Sequence, residues 1–451
     1  MLRFSTALVF VLLATCGFGA TAPKPNIVLI MADDFGFECI TANGGQSYQT
    51  PNVDKLAATG MRFEQCHVQP LCTPTRVQLM TGIYNVRNYI EFGAMDKKAT
   101  TFGHLLKDAG YATGICGKWQ LGLEKDSAQK FGFDESFLWH HLRRTSRYAN
   151  PGFERNGTPE DYMKGGYGPT VVNDFALDFI TRHKDQPFFL YYPMLLTHSP
   201  FQPTPESPDW NPKGGERGNQ DVKHFAEMTN YMDKMVGRVI AKLETLGLRE
   251  NTLVLFLGDN GTGVDITSRF KGQVYPGGKG RPTARGTHVP GVANWPGRIA
   301  PGQVSSDLVG SVDFMPTICA TAGVSLPANY PGDGRSFLPQ LLGQKGQPRD
   351  WLYFWYAPDG GVTAKHEFAM STQYKLYREG TFFDLTKDPF EEKPLKVAQL
   401  NGEQAAAAKK LQAALDQYAH ARPPHLLQPI VTAKQQKKAG KGKKQKNDED
   451  R

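Results

Sequence analysis

Asn26-Ile27-Val28-Leu29-Ile30-Met31-Ala32-Asp33-Asp34 is an apolar run that stops on two carboxylates. Ile27 to Met31 shows no alternation of apolar and polar residues, so the segment reads as a strand buried on both faces, as strands of parallel sheets are. Phe188 to Leu196 and Thr252 to Leu257 have the same character. Helical periodicity separates these runs. Val172, Phe175, Ala176, Phe179 and Ile180 mark one amphipathic helix; Phe225, Met228, Met232, Met235, Val236, Val239, Ile240 and Leu243 mark a longer one. Strands alternating with helices predict an α/β fold, a parallel sheet sandwiched by helices on both faces.

Outward from this framework, Ser199 to Gly218 is rich in Pro and Gly and is expected to be a surface loop bordering a binding site. Gly and Pro punctuation from Pro327 to Pro348 marks a boundary. Beyond it, Trp351 to Tyr356, Glu367 to Ser371, Tyr374 to Arg378 and Thr381 to Leu385 read as short antiparallel strands, and Glu403 to Tyr418 as a helix. The expected organisation is an export segment over 1–22, a main α/β domain over 23–345, a small α+β subdomain over 346–425 and a disordered tail over 426–451.

Composition excludes a mainly disordered or fibrous chain: 40% of the 451 residues are hydrophobic and 21% charged. A net charge of +8 suggests nucleic acid until it is located. Residues 431–451 hold seven Lys and Arg451 against Asp448, Glu449 and Asp450, so +5 of the charge belongs to the tail. That tail is suited to a polyanion or to remaining a solvated extension, and no nucleic-acid footprint is left on the remainder. Arg3, the apolar run Ala7 to Leu13 and Ala20-Thr21-Ala22 read as a cleavable export signal, which places the protein in the periplasm or outside the cell. Leu13-Ala14-Thr15-Cys16 resembles a lipid-attachment site more weakly, because Thr15 is bulky for one. No segment reaches the length of a membrane span. Cleavage would leave Cys39, Cys66, Cys72, Cys116 and Cys319, an odd number that asks whether one thiol has a separate fate.

Ligands of open α/β sheets collect where strands end. Asp33 and Asp34 end one predicted strand, and Asp259 and Asn260 end another. Grouped at one edge, these oxygens suit a hard divalent cation; taken separately, they suit turns and helix caps. Cys72-Thr73-Pro74-Thr75-Arg76 puts a cysteine just ahead of a proline that fits a helical first turn, hence at the positive end of a helix.

Cys72-x-Pro74-x-Arg76 with Met80-Thr81-Gly82 resembles the sulfatase family signature, whose cysteine becomes formylglycine during export. Asp33-Asp34, Gly110 to Gly122, His198-Ser199-Pro200, Gly258-Asp259-Asn260-Gly261 with Gly278-Lys279-Gly280, and Phe383 to Pro389 follow in the family's order. The resemblance spans roughly residues 25–395. It implies an alkaline phosphatase-like architecture with a large mixed, mostly parallel sheet, and hydrolysis of sulfate esters on an aryl or carbohydrate alcohol. It also implies a calcium ion held by Asp33, Asp34, Asp259 and Asn260 and touching position 72, and a partner enzyme that generates the formylglycine.

The resemblance assigns Arg76 and Lys118 to orienting the aldehyde hydrate at position 72, and His198 and Lys279 to holding the sulfate and protonating the leaving oxygen. One hydroxyl of the hydrate would attack sulfur; deprotonation of the other would expel sulfate. Gln120 departs from the family, which usually has histidine there, and an amide cannot exchange a proton near neutral pH. Arg285-Gly286 departs as well. Two further readings share this fold: a phosphonate monoester or phosphodiester hydrolase, and a catalytically weakened protein that binds sulfated glycans.

Overall fold

The computed structural model describes residues 23–139, 143, 145–213 and 220–427. The expected export segment and nearly all of the lysine-rich tail lie outside the described residues. In chain order the strands are β1 (Asn26–Ala32), β2 (Met61–His67), β3 (Ala112–Lys118), β4 (Glu135–Trp139), β5 (Gly152–Arg155), β6 (Thr158–Asp161), β7 (Phe188–Pro193), β8 (Thr252–Gly258), β9 (Thr267–Phe270), β10 (Gln273–Pro276), β11 (Gly291–Asn294), β12 (Gln303–Gly310), β13 (Leu352–Tyr356), β14 (His366–Met370), β15 (Tyr374–Tyr377), β16 (Thr381–Asp384) and β17 (Leu395–Lys396).

Ten of them form one sheet in the order β12-β2-β11-β8-β1-β7-β3-β4-β5-β6. Its centre, β8 through β4, is parallel. Antiparallel β11 and β5 make the whole mixed, as the resemblance implied. Every residue of β1 is buried, and the period of two sorts them. Ile27, Leu29 and Met31 join the core beneath the helices Cys72–Thr81, Phe102–Asp108 and Phe314–Thr321. Val28, Ile30 and Ala32 join the core beneath Pro51–Ala58, Gly168–Arg182 and His224–Thr245. Helices therefore cover both faces, which is why the central strands carry unbroken apolar runs.

Phe188 to Leu196 read as one run, but β7 ends at Pro193, which has no N–H to give the ladder. The next residues stay beside β1 all the same: Met194 N donates to Met31 O at 2.8 Å, and Asp33 N to Leu196 O at 2.8 Å.

The C-terminal strands form a separate antiparallel sheet, β13-β14-β15-β16-β17, with helix Gly402–Gln417 packed against it. Tyr353, Trp355, Leu376 and Phe382 of this sheet and Leu411 and Leu415 of the helix belong to the same apolar cluster as Val77 and Met315. Leu308 of β12 packs with Leu352, Phe354 and Phe368. The sheet is thus fastened to the large one by shared burial. Among the described residues no helix is long and apolar enough to cross a membrane, and Cys39, Cys66, Cys72, Cys116 and Cys319 are all buried free thiols.

Candidate active site

Register delivers the first four residues. β1 and β8 run parallel with Ala32 opposite Gly258, so Asp33-Asp34 and Asp259-Asn260 leave the sheet side by side. Gly258 allows this closeness: a Cβ there would lie 2.0 Å from Phe35 O. Asp34 is held at φ 60°, and its N–H donates to Asp259 Oδ1 at 3.0 Å. The chain leaving β7 remains bonded to this edge through Thr197 N to Asp33 O at 2.7 Å, which brings His198 alongside. β3 ends at the same edge with Lys118. Gly117 makes the approach possible, since a Cβ there would come within 1.9 Å of Pro193 O.

Cys72 opens the helix Cys72–Thr81, every residue of which is buried. Leu71 caps it in an extended conformation, and Gly82 closes it at φ 61°. Helical side chains lean toward the N-terminus and recur on one face every four residues, so Arg76 lies behind Cys72 and points to the same edge. Arg76 is fully buried.

The contacts close around Cys72. Its thiol donates to Gln120 Oε1 at 3.1 Å. Arg76 donates to Asp259 Oδ2 at 3.0 Å and to Lys118 O at 2.8 Å. Lys118 Nζ lies 2.8 Å from both oxygens of Asp33. Lys279 Nζ donates to Asp34 Oδ2 at 2.6 Å, and His198 Nε2 is 3.7 Å from the same oxygen. The side chains of His198 and Lys279 are each 21% exposed, against 0–1% for Lys118, Arg76, Asp33 and Asp259. His198 and Lys279 therefore face the opening, with the others behind them.

Burial opposes charge on every one of these groups, and neighbours decide the outcome. For Asp33, burial pushes upward but is outweighed by Lys118, then His198, Arg147 and Arg76, leaving the carboxyl well below the usual range. Asp259 goes the other way, raised to about 7 by burial and Asp33 against the pull of Arg76 and Lys118. His198 is pushed down to about 3 by burial and by Arg147, with Asp34 and Asp33 opposing. Lys279 is held above its ordinary value because Asp34, position 72 and Asp33 overcome its burial. Burial raises the Cys72 thiol.

Three carboxylates and an amide give an all-oxygen donor set at a fully buried edge, the chemistry of a hard cation such as calcium. Asn260 adds an independent mark. Its Nδ2 donates to Asp34 Oδ1 at 2.8 Å and Gly261 O at 2.9 Å, while its buried Oδ1 has no hydrogen bond. An orphaned carbonyl oxygen beside three carboxylates is where a cation would be accepted.

Three residues at this edge were not found from sequence. Arg147 sits 3.5 Å from Asp33 Oδ2 with its guanidinium 4.2 Å over the Trp139 ring. Tyr148 Oη donates to His198 O and, at 3.1 Å, to Leu195 O. Both follow the end of β4. Tyr356 ends β13 with its hydroxyl beside Gly280, and the nearby charge of position 72 contributes to raising it after burial. The C-terminal sheet also steadies the loop beyond Lys279: Lys375 Nζ donates to Pro282 O at 2.6 Å and to Glu391, which accepts from Ala284 N at 3.2 Å. Arg285 lies with its guanidinium 5.1 Å over Phe390.

A ten-stranded mixed sheet covered by helices on both faces, with cations gathered around buried carboxylates at one strand edge, is the alkaline phosphatase-like architecture. Known proteins narrow this further. Residues 25–324 match the sulfatase family, and residues 284–421 match the C-terminal region of N-sulphoglucosamine sulphohydrolase. The chain is 34% identical to human arylsulfatase A over 421 residues, covering 84% of this chain and 80% of the relative. It is 32% identical to mouse N-acetylgalactosamine-6-sulfatase over 418 residues, covering 83% and 78%. In three dimensions it resembles a sulfatase from Pseudoalteromonas sp. with a TM-score of 0.71 and 24% identity, over 89% of this chain and 91% of that one. The protein belongs to the sulfatase family, enzymes that hydrolyse sulfate esters.

Proposed function

We propose that this chain is an exported, calcium-dependent sulfatase that works through formylglycine made from Cys72 and acts on a sulfated carbohydrate or aryl sulfate. The observation that carries the reading is the convergence of Asp33, Asp34, Lys118, Asp259 and Arg76 around the side chain that opens the helix at Cys72. Two relatives support the substrate class by their names, one an arylsulfatase and one a sulfatase of N-acetylgalactosamine.

In this reading Asp33, Asp34, Asp259 and Asn260 would hold calcium, which would supply Lewis-acid chemistry. Formylglycine, as its hydrate, would supply a hydroxyl nucleophile and a route for sulfate to leave. Arg76, fixed by Asp259 and Lys118 O, would orient the side chain at 72. Lys118, which pairs with Asp33, would lie where charge builds on the transferred group. His198 and Lys279, at the open side, donate hydrogen bonds to the oxygen that leaves with the alcohol. Gln120 orients the hydroxyl that the family's histidine would also deprotonate, so it positions without exchanging a proton.

That same substitution favours a second reading, a weakened enzyme that chiefly binds sulfated glycans. The test is the mass of tryptic peptide Phe63–Arg76 from protein made in a host that matures sulfatases, paired with turnover of 4-nitrophenyl sulfate. Conversion at 72 with turnover is expected. An unmodified thiol, beside a converted control sulfatase, overturns the catalytic reading. Conversion without turnover selects the second.

A further inference from the structure

His198 leads directly into the Pro- and Gly-rich segment that begins at Ser199. Ser199, Pro200 and Phe201 form one wall of a cavity of about 610 Å³, with Asp221 and Val222 on another and Asp265 on a third. The walls are joined: Asp221 N donates to Phe201 O at 3.1 Å, and Phe201 packs edge-on against Phe225 with ring centres 5.6 Å apart. Their segments are also bonded to those of the catalytic edge. Asp265 lies five residues beyond Asn260, and this segment is tied to the Lys279 loop by Lys279 N to Thr262 O at 3.0 Å and Gly277 N to Ile266 O at 2.8 Å.

The lining has a definite chemistry. Asp221 and Asp265 are exposed carboxylates, Pro200, Phe201 and Val222 offer apolar surface, and no Lys or Arg lines the cavity among the described residues. This contrasts with the catalytic edge, where Arg76, Lys118, Arg147 and Lys279 gather. An anion is drawn to one compartment and repelled from the other.

We propose that this cavity receives the leaving alcohol, and that Asp221 and Asp265 select esters whose scissile sulfate is their one anionic group. The rest of the ring would carry hydroxyl or ammonium donors. The inference rests on the sulfatase reading, because it takes the sulfate to lie at position 72 and the bridging oxygen to face His198 and Lys279. Hydroxyl or ammonium groups on the ring would donate to the two carboxylates, and the ring's apolar face would lie on Phe201 and Pro200. A second sulfate or a carboxylate on the ring would meet like charge.

The experiment uses the full, matured enzyme and three esters with one scissile group: 4-nitrophenyl sulfate, 4-(aminomethyl)phenyl sulfate and 4-carboxyphenyl sulfate. Kinetic kcat/KM ratios for the ammonium over the carboxylate ester are compared between wild type and the Asp221→Asn/Asp265→Asn double variant, so that intrinsic leaving-group reactivity cancels. The ratio is expected to fall about tenfold in the double variant, by intermediate amounts in each single one, and to shrink in wild type at high salt. An unchanged ratio in a double variant that still turns over 4-nitrophenyl sulfate overturns the inference alone. An unmodified thiol at 72 together with no turnover of any of the three esters overturns the catalytic reading beneath it.

Discussion

Cys72 and Gln120 are hydrogen-bonded, thiol to amide oxygen at 3.1 Å, across two elements that are 48 residues apart in sequence. Gln120 meets the thiol from a left-handed turn at φ 59°, just past the end of β3. Position 72 is thus held against a group that can orient a hydroxyl but cannot take its proton.

Gln120→His is expected to raise kcat on 4-nitrophenyl sulfate by about a hundredfold, the lower end of the range of a well-placed general base, with little change in KM. Histidine tolerates the left-handed backbone well, so the exchange should not disturb the turn. An unchanged kcat would mean that another group already performs the proton transfer.

Asn260→Ala removes the one oxygen of the donor set that lacks a hydrogen bond. Wild-type protein stripped with chelator should gain several degrees in Tm when calcium is restored, through mass action on the folded state. The variant should lose most of that gain. Equal gains in both proteins would place the cation elsewhere.

Arg76→Met leaves Asp259 buried without its guanidinium partner, at a cost of about 3 kcal/mol by urea unfolding. Arg76→Lys keeps the charge but cannot bridge Asp259 and Lys118 O together. It should unfold nearer to wild type while losing at least about a hundredfold in kcat/KM. Similar stability losses in the two variants would show that charge contributes nothing to folding here.

Glu38 is buried beneath the site, where its carboxyl accepts a hydrogen bond from the Thr262 hydroxyl, and burial raises it from 4.5 to about 7. The folded state therefore holds this proton more tightly than the unfolded state. Its contribution is complete below the unfolded value and is lost as pH climbs through the folded one, a difference of about 3 kcal/mol between pH 4 and pH 8. Glu38→Gln should remove that slope and gain on wild type at pH 8, measured by urea unfolding at both pH values. Parallel pH dependence in the two proteins would contradict the shift.

Much of the site was legible because strand ends are legible. An unbroken apolar run signals a doubly buried strand, and the residues just past its end must lie at a sheet edge, so Asp33, Asp34, Asp259 and Asn260 could be placed from the chain alone. Cys72 was legible at a helix start from the proline that follows it, and Arg76, Lys118, His198 and Lys279 through the resemblance to the sulfatase motifs. Arg147, Tyr148 and Tyr356 were not. They reach the edge from an irregular segment and from the second sheet, and no local periodicity records which sheet edge such residues meet.

By itself the sequence determined the alternation of strands and helices, the residue types at each strand end and the family order of the motifs, because these depend on local burial and on chemistry written within a few residues. Only the tertiary structure decided that β1 pairs with β7 and β8, which brings four distant segments together, and that Arg76 is buried. It also decided that the cavity beyond His198 is lined by carboxylates. Those outcomes come from packing between segments far apart in the chain, where strand order and shared burial, not neighbouring sequence, determine which side chains meet.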